Sequence, residues 1–211
     1  MTMPDILINT ENIFLNRGIC ELLSEIAKEE HIREPYSVVD CSTDILDPID
    51  MLFTEMAAGE HYLCHPFFKK HPPHTSIFIF VATDSALQVE QLPLCLRDAT
   101  FISMNSDLRR VKNQIAKRLT ESTTSSCGGL EKDSRRCVKC PRLTLTKSQL
   151  YIIDAIRTGM NNQQIAQKLG ISHKTIFSHK INIMKKFQIA TKQELTRFSS
   201  VALALSAGRI G

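Results

Sequence analysis

The sequence predicts an α/β domain over residues 1–120, a polar linker over residues 121–141 and an all-α domain over residues 142–211. Apolar strand-like segments alternate with amphipathic segments in the first part, which is typical of a mostly parallel sheet with right-handed crossovers. The linker is rich in Ser, Thr, Gly and charge, so we expect it to be flexible. The last part contains four segments with helical spacing.

Composition limits the class of protein. The chain has 211 residues, of which 43% are hydrophobic and 23% are charged, so it can form a buried core. It contains no run of roughly 18 apolar residues, the length that a membrane span needs, and no secretion signal. We expect a cytoplasmic protein without a membrane partner. Seven cysteines, an odd number at irregular spacing, fit reduced thiols better than a disulfide framework.

Charge is distributed unevenly along the chain. Residues 1–106 carry 6 basic and 16 acidic side chains, a net charge of −10. Residues 107–141 carry 9 basic and 4 acidic side chains, or +5, and residues 142–211 carry 11 and 2, or +9. A polyanion is therefore attracted to the carboxyl-terminal third, which favours nucleic acid as a partner there. Solvation of ordinary surfaces is the alternative explanation.

The first domain contains four predicted strands and four predicted helices. The strands are Asp5–Thr10, Tyr36–Ser42, Ser76–Thr83 and Ala99–Met104. The helices are Asn12–Lys28, Leu46–Ala58, Ser85–Arg97, which Pro93 interrupts, and Asp107–Leu119. The segment His61–His74 is irregular because its three prolines prevent a regular hydrogen-bond pattern.

The second domain begins with a helix whose start is marked by Thr146 and Gln149, the spacing of a capping box. Gly159 suits the end of this helix. Asn161 and Asn162 cap the next helix, which presents Ile165, Ala166 and Leu169 inward. Thr191 and Glu194 repeat the capping-box spacing before a final helix that runs through Leu195, Phe198, Val201, Ala202 and Leu205.

Between these helices, Gly170 marks a turn and Ser172 is placed to cap a helix from His173 to about Phe187. Its inner row is predicted to be Ile176, Ile183 and Phe187, and its outer row to be Lys174, Phe177, Ser178, Ile181 and Lys185. A short helix, a turn and a second helix with a basic outer face form a helix-turn-helix, whose second helix enters the major groove of DNA. A helical bundle that serves only protein contacts is the alternative.

The carboxyl-terminal pattern resembles the DNA-binding domain of LuxR/NarL-type transcription regulators. The matching residues are Leu145, Thr146, Gly159, Asn162, Ile165, Ala166, Leu169, Ile171, Ser172, Lys174, Thr175, His179, Asn182, Ile183, Lys186 and Ile189. Gln149 and Gln164 stand where that family usually has Glu. Phe177 and Ile181 replace a Lys and a polar residue on the face that the family turns toward bases.

The resemblance implies roles in DNA binding. Lys174, Thr175, Lys185 and Lys186 are expected along the phosphates. Phe177, Ser178 and Ile181 are expected to face base edges, with Lys180 and His179 at intermediate positions. His179 either contacts phosphate or makes a hydrogen bond between helices. Since an apolar ring can contact a thymine methyl group but cannot form bidentate bonds to a base, we expect modest intrinsic specificity.

Such regulators usually act as dimers on two half-sites. Phe198, Val201 and Leu205 in the last helix either form a dimer surface or close the core of the domain. The expected partners are double-stranded DNA and either a second copy of the chain or another LuxR-type regulator, with RNA polymerase as a further candidate.

The first domain resembles phosphoacceptor receiver domains, which are flavodoxin-like, and Thr83 matches their switch hydroxyl. This sequence lacks the residues that receiver domains use for phosphorylation. Asn9 and Thr10 stand where a receiver has two acidic residues for Mg²⁺, and Met104 stands in place of its Lys. Asp40 occupies the acceptor position only if Tyr36–Ser42 is the third strand, and it could equally belong to the second. We therefore expect no phosphoacceptor.

A degenerate receiver-like domain of this kind is similar to those of auxiliary LuxR-type regulators such as RcsA, BglJ and GadE. These tend to act with a second regulator, often RcsB, so the resemblance implies a structural or partner-binding domain and regulation without phosphorylation. Sensing of a small ligand is the alternative, although no residue identifies one.

Two groups of Cys and His residues have spacing that a metal or redox site would use. One contains Cys127, Cys137 and Cys140, and the other contains His61, Cys64, His65, His71 and His74. The Cys-x-x-Cys pair lacks a second pair, so we expect neither a metal site nor a cofactor, and a metal-responsive or thiol-responsive regulator stays an alternative. No catalytic constellation, phosphate-binding loop or dinucleotide fingerprint is present, so no enzyme is expected.

Overall fold

The computed structural model describes residues 5–29, 37–39, 49–70, 75–82, 87–124 and 140–207. The chain forms two compact units. The sheet unit comprises Met1–Glu55, Phe67–Asp84 and Asp98–Arg136, and the helical unit comprises Met56–Pro66, Ser85–Arg97 and Cys137–Gly211. The helical unit thus includes two segments from the first half of the chain, which its sequence position did not indicate.

Five strands form one sheet in the order β2-β1-β3-β4-β5. They are β1 (Asp5–Asn9), β2 (Ser37–Val39), β3 (Met51–Met56), β4 (Ser76–Val81) and β5 (Thr100–Ser103). The β1-β2, β1-β3 and β4-β5 pairs are parallel. This order is the flavodoxin-like, doubly wound arrangement, so the predicted fold class of the first domain is confirmed.

The central strands are buried on both faces. On β1, Ile6 and Leu7 point to opposite faces and are both fully buried. Phe53 of β3 stacks on Phe78 of β4 with ring centroids 4.8 Å apart. Helices must therefore cover the sheet, and one core cluster joins its strands to α1 (Ile13–Glu29) and α3 (Leu108–Thr124).

The two long helices of the sheet unit confirm the amphipathic patterns read from the sequence. Lys112 of α3 reaches α1, where its ammonium lies 2.6 Å from Glu29 and 3.3 Å from Glu25. α3 continues to Thr124, four residues beyond the end predicted for the first domain.

The predicted helix Leu46–Ala58 is wrong, because Met51–Met56 is the strand β3. Met51, Leu52 and Phe53 are all fully buried. A strand covered on both faces is a continuous apolar run, which periodicity alone cannot distinguish from a buried helix. Residues 46–48 lie outside the described residues.

The predicted helix Ser85–Arg97 is also wrong over the residues that the structure describes. Two single 3₁₀ turns stand there, Val89–Gln91 and Leu94–Leu96, on either side of Pro93. The segment predicted to be irregular, His61–His74, contains regular structure in its described part, namely most of the 3₁₀ turn Glu60–Tyr62 and the short helix α2 (Pro66–Lys70). Residues 71–74 lie outside the described residues.

Four helices form most of the helical unit, as predicted. They are α4 (Lys147–Arg157), α5 (Asn162–Leu169), α6 (His173–Lys186) and α7 (Lys192–Ala207). The capping boxes Thr146/Gln149 and Thr191/Glu194 are both formed. A third box, Asn161 with Gln164, starts α5. Local hydrogen bonds encoded in the sequence therefore fix where three of the helices begin.

The core of the helical unit is apolar and aromatic. Phe187 and Phe198 are fully buried with ring centroids 4.7 Å apart, and Ile153, Ile176 and Ile183 of the same unit are also fully buried. None of the helices within the described residues is both long and apolar enough to cross a membrane.

Gly59 lies directly against this core. Its φ is +81°, and a Cβ atom there would lie 2.8 Å from the carbonyl oxygen of Phe187. Only glycine fits this position without strain, because both the backbone conformation and the space exclude a side chain.

We predict that Gly59→Ala lowers the free energy of unfolding by roughly 1–3 kcal/mol or more, the cost of a strained backbone with a steric clash added. Chemical denaturation of the full chain measures this change. Gly18→Ala is the matched control, since Gly18 lies within α1 and a Cβ there meets nothing within 4 Å. The control is expected to raise stability by about 0.5–1 kcal/mol, and equal effects of the two changes would contradict the close approach at Gly59.

Candidate nucleic-acid interface

The turn between α5 and α6 is set by two residues. Gly170 ends α5 in the left-handed conformation, with φ at 65°, and Ser172 caps α6 by accepting the backbone N–H of Thr175 at 3.0 Å. This is the predicted helix-turn-helix geometry.

α6 has one buried face and one exposed face. Ile176 and Ile183, together with Phe187 just beyond its end, are fully buried. Successive helical residues are about 100° apart, so positions that differ by three, four or seven share a face. The opposite face carries the predicted outer row, in which Lys174, Phe177, Ser178 and Lys185 are exposed and Ile181 is partly buried.

Phe177 is the unusual member of this row. About half of its surface, 53%, is exposed to solvent. Phe177 therefore contributes little to the buried core and is available for contact with a partner. The structure therefore brings together the residues that the sequence predicted to meet bases.

The outer row lies in a positive field. Neither α5 nor α6 contains an acidic residue, whereas Lys168, Lys174, Lys180, Lys185 and Lys186 lie on these two helices. A phosphate backbone would meet no carboxylate on either helix, so electrostatic attraction there is not opposed locally.

Two of the lysines predicted to take part in DNA binding, Lys180 and Lys186, make bonds within the protein. The Lys180 ammonium donates to Oδ1 of Asn162 at the start of α5, and burial, followed by the charge of Lys192, lowers its pKa. The Lys186 ammonium donates to the carbonyl oxygen of Thr144 at 2.6 Å. Both lie toward the edges of the buried face of α6, so each lysine links α6 to another part of the unit.

The remaining predicted residues are placed as follows. Thr175 is exposed, and its hydroxyl lies 2.8 Å from that of Ser172. The hydroxyl of Ser178 donates to the carbonyl oxygen of Lys174. His179 is partly buried. Asn182 is exposed on the same side as Ser178 and Lys185. It was not among the predicted contacts, although its position four residues after Ser178 places it on that face.

The three residues predicted as a dimer surface differ in exposure. Phe198 is fully buried against Phe187, which favours the alternative role of closing the core. Val201 and Leu205 are partly buried. They remain predicted dimer contacts.

The receiver-like features can be located on the sheet unit. Ser37–Val39 is the second strand, so Asp40 follows β2 and not β3. Asp40 and Thr83 themselves lie outside the described residues. Asn9 ends β1, and the hydroxyl of Thr10 donates to Oε2 of Glu55 at 3.1 Å. This hydrogen bond already engages one carboxylate oxygen of Glu55. Met104, which stands in place of the receiver lysine, is 41% exposed.

The structure describes only some residues of the two Cys and His groups. His61, Cys64 and His65 are buried, and burial lowers the pKa of each histidine to about 4, so both are neutral at neutral pH. Cys140 accepts the backbone N–H of Leu94. The structure does not describe the other members of the two groups, which are Cys127, Cys137, His71 and His74. Among the residues that it does describe, no group of three or more His, Cys, Asp or Glu could hold a metal ion.

The helix-turn-helix matches a known family. Residues 143–199 match the family of bacterial regulatory proteins called the luxR family. This part of the chain is therefore a LuxR-family helix-turn-helix domain. It spans α4, α5, α6 and the first half of α7.

Curated relatives are similar over part of their length. The oxygen regulatory protein NreC of Staphylococcus carnosus is 29% identical over 102 residues, which are 48% of this chain and 47% of that protein. NreC of Staphylococcus aureus is 39% identical over 59 residues, 28% of this chain and 27% of that protein. The chain thus spans about half or less of the length of these relatives.

Solved structures share the fold of nearly the whole chain. RcsB of Salmonella enterica serovar Typhimurium, bound to a promoter, superposes with a TM-score of 0.54 at 19% identity and covers 95% of this chain and 99% of its own. A structure of an RcsB–DNA complex has a TM-score of 0.51 at 19% identity over the same shares. At 19% identity this likeness shows the fold alone, a receiver-like sheet unit together with a helical unit.

The two faces of α6 make a testable distinction. Ile183→Ala should lower the free energy of unfolding by about 2–5 kcal/mol, because it leaves a cavity in a fully buried site. Phe177→Ala should change it by no more than about 0.5 kcal/mol, as is usual for exposed positions. Urea denaturation followed by circular dichroism measures both. A large loss of stability in Phe177→Ala would mean that this ring packs inside the protein.

Proposed function

We propose that this chain is a sequence-specific transcription regulator that binds double-stranded DNA through α6 and acts in the bacterial cytoplasm. The observation that carries the proposal is the outer row of α6, where exposed lysines flank an exposed phenylalanine on a helix without carboxylates. The match of this region to the luxR family supports it.

In this proposal different residues of the outer face contact different parts of the duplex. Lys174, Lys185 and the hydroxyl of Thr175 contact phosphates and set the register of α6 on the duplex. Phe177 and Ile181 contact thymine methyl groups in the major groove, and Ser178 bonds to base edges. Lys180, Lys186 and His179 contribute less, because they are partly buried and the two lysines already bond within the unit.

Regulation by the sheet unit is proposed to be independent of phosphorylation. Its β1 ends in Asn9 and Thr10 where a receiver would hold Mg²⁺ with two carboxylates, and Thr10 is bonded to Glu55. Among the described residues, the carboxylate bonded to Thr10 is that of Glu55, and this bond competes with a metal that would neutralise a transferred phosphoryl group. The unit would then bind a partner protein, in line with the exposed Ile13 and Phe14 on α1.

We further propose that the chain acts as a dimer. Few base pairs contact one helix-turn-helix, so two half-sites are needed for tight binding. Structures with RcsB dimers on DNA offer a parallel at the level of fold. The second subunit would be another copy or a different LuxR-type regulator such as RcsB, with Val201 and Leu205 of α7 among the contacts.

Lys174→Ala and Lys185→Ala should each weaken binding to every duplex sequence. Removing one lysine–phosphate interaction should reduce the slope of log K against log salt by roughly 0.9. Fluorescence anisotropy with a duplex of mixed sequence at several salt concentrations measures the slope. Lys28→Ala removes an exposed cation from α1 and serves as the control, with no change expected. Unaltered slopes in both α6 variants would place the phosphates elsewhere.

Phe177→Ala should instead change which sequence is preferred. Without the ring against a thymine methyl group, discrimination at one base-pair position should fall by about 1 kcal/mol, the low end of the range for a mismatch. Selection from a random duplex pool, carried out with wild type and variant, reads this out. A retained preference with uniformly weaker binding would assign Phe177 to the backbone.

A further inference from the structure

Tyr62 joins three segments of the helical unit. Its side chain is fully buried, and its hydroxyl accepts the backbone N–H of Gln88 at 3.1 Å and donates to Oε1 of Gln188. Its carbonyl oxygen accepts the backbone N–H of Leu143 at 3.0 Å. Burial raises the pKa of Tyr62, so the phenol keeps the proton that it donates.

Gln188 lies at the end of the helix that carries the DNA-binding row. It follows Phe187, the residue that caps α6, and its φ of 54° makes it the only residue other than glycine with positive φ among those described. A side chain disfavours this conformation, so surrounding contacts must maintain it. The helix end itself supplies two backbone hydrogen bonds, from the N–H of Ile189 to the carbonyl oxygen of Met184 at 2.8 Å and from the N–H of Gln188 to that of Lys185 at 3.4 Å. The bond from Tyr62 holds the side chain of Gln188 in addition, and Gly59 lies close to Phe187.

We propose that Tyr62 is a positioning residue for DNA binding, which fixes the carboxyl-terminal end of α6 so that its outer row meets the duplex in register. This inference rests on the proposed function. The DNA-binding unit would then be discontinuous in the chain, with Met56–Pro66 as one of its working parts.

The position of this end of α6 affects the outer row because a small tilt of a long helix moves its other end. α6 has 14 residues and is therefore roughly 20 Å long at about 1.5 Å per residue. A tilt of a few degrees at Gln188 moves Lys174, at the other end, by an ångström or more. Lys185 lies three residues from Gln188 and would move with it. Contacts to phosphates and bases require a positioned helix, whereas overall stability depends mainly on the buried row.

The test uses Tyr62→Phe in the full chain, since this change removes the hydroxyl and keeps the buried ring. Tyr151→Phe is the matched control, because it removes the same atom from a tyrosine that is 66% exposed on α4. Binding to a duplex selected by the wild-type chain is measured at a temperature where circular dichroism shows every variant fully folded. Gln188→Leu provides an independent second variant.

We expect Tyr62→Phe to raise Kd about tenfold, equivalent to ~1.4 kcal/mol, with an unchanged salt slope because every lysine that meets a phosphate is still present. Gln188→Leu should have a similar effect, and the double variant should add little, since both remove one interaction. Tyr151→Phe should bind as wild type does.

Wild-type Kd in folded Tyr62→Phe, with only a lower melting temperature, would reduce Tyr62 to a structural role and overturn the inference. Tighter binding would overturn it as well, because the segment would then restrain α6. If Tyr62→Phe does not fold, wild-type affinity in Gln188→Leu has the same meaning. Failure of the wild-type chain to bind any duplex would instead contradict the proposed function.

Discussion

The helical period of α6 is the constraint on which the rest of the structure depends. Because Ile176, Ile183 and Phe187 fill the core of the helical unit, the residues on the opposite side of the same helix must face outward. Those residues are Lys174, Phe177, Ser178 and Lys185, joined by Asn182. One apolar row therefore stabilises the unit and displays the candidate nucleic-acid interface at the same time. The capping residues Ser172 and Gly170 determine where this helix begins, and Gly59 and Tyr62 contact its far end.

The helical unit could be predicted closely from the sequence because its signals are local. Capping boxes, the glycine after α5 and apolar residues at spacings of three and four each identify a boundary or a face within a few residues. The sheet unit was harder. Its strand β3 was predicted as a helix, since MLFTEM is apolar on both sides and carries no alternation. The position of Asp40 stayed open between the second and the third strand for the same reason, because the strand order decides which strand the aspartate follows.

Other features of the site could not be predicted because they depend on contacts between residues distant in sequence. Lys180 and Lys186 looked like further surface cations, yet they bond to Asn162 and Thr144, and only the packing of α6 on its neighbours reveals this. The spacing of Phe198 fitted either a dimer surface or the core of the domain, and the structure buries it against Phe187. Tyr62 is separated from Gln188 by 126 positions, and no local pattern links them. Helical spacing thus predicted the outer row correctly and left open how the helix is held.

The central claim is that DNA covers the outer face of α6. Lysine footprinting tests it most directly, with the full chain acetylated in the presence and absence of duplex DNA and each lysine quantified by mass spectrometry. We predict that DNA protects Lys174 and Lys185, while Lys28 on α1 reacts equally in both samples. If Lys174 and Lys185 stay fully reactive under conditions where a gel shift shows the chain bound, the duplex lies on another surface and the claim is contradicted.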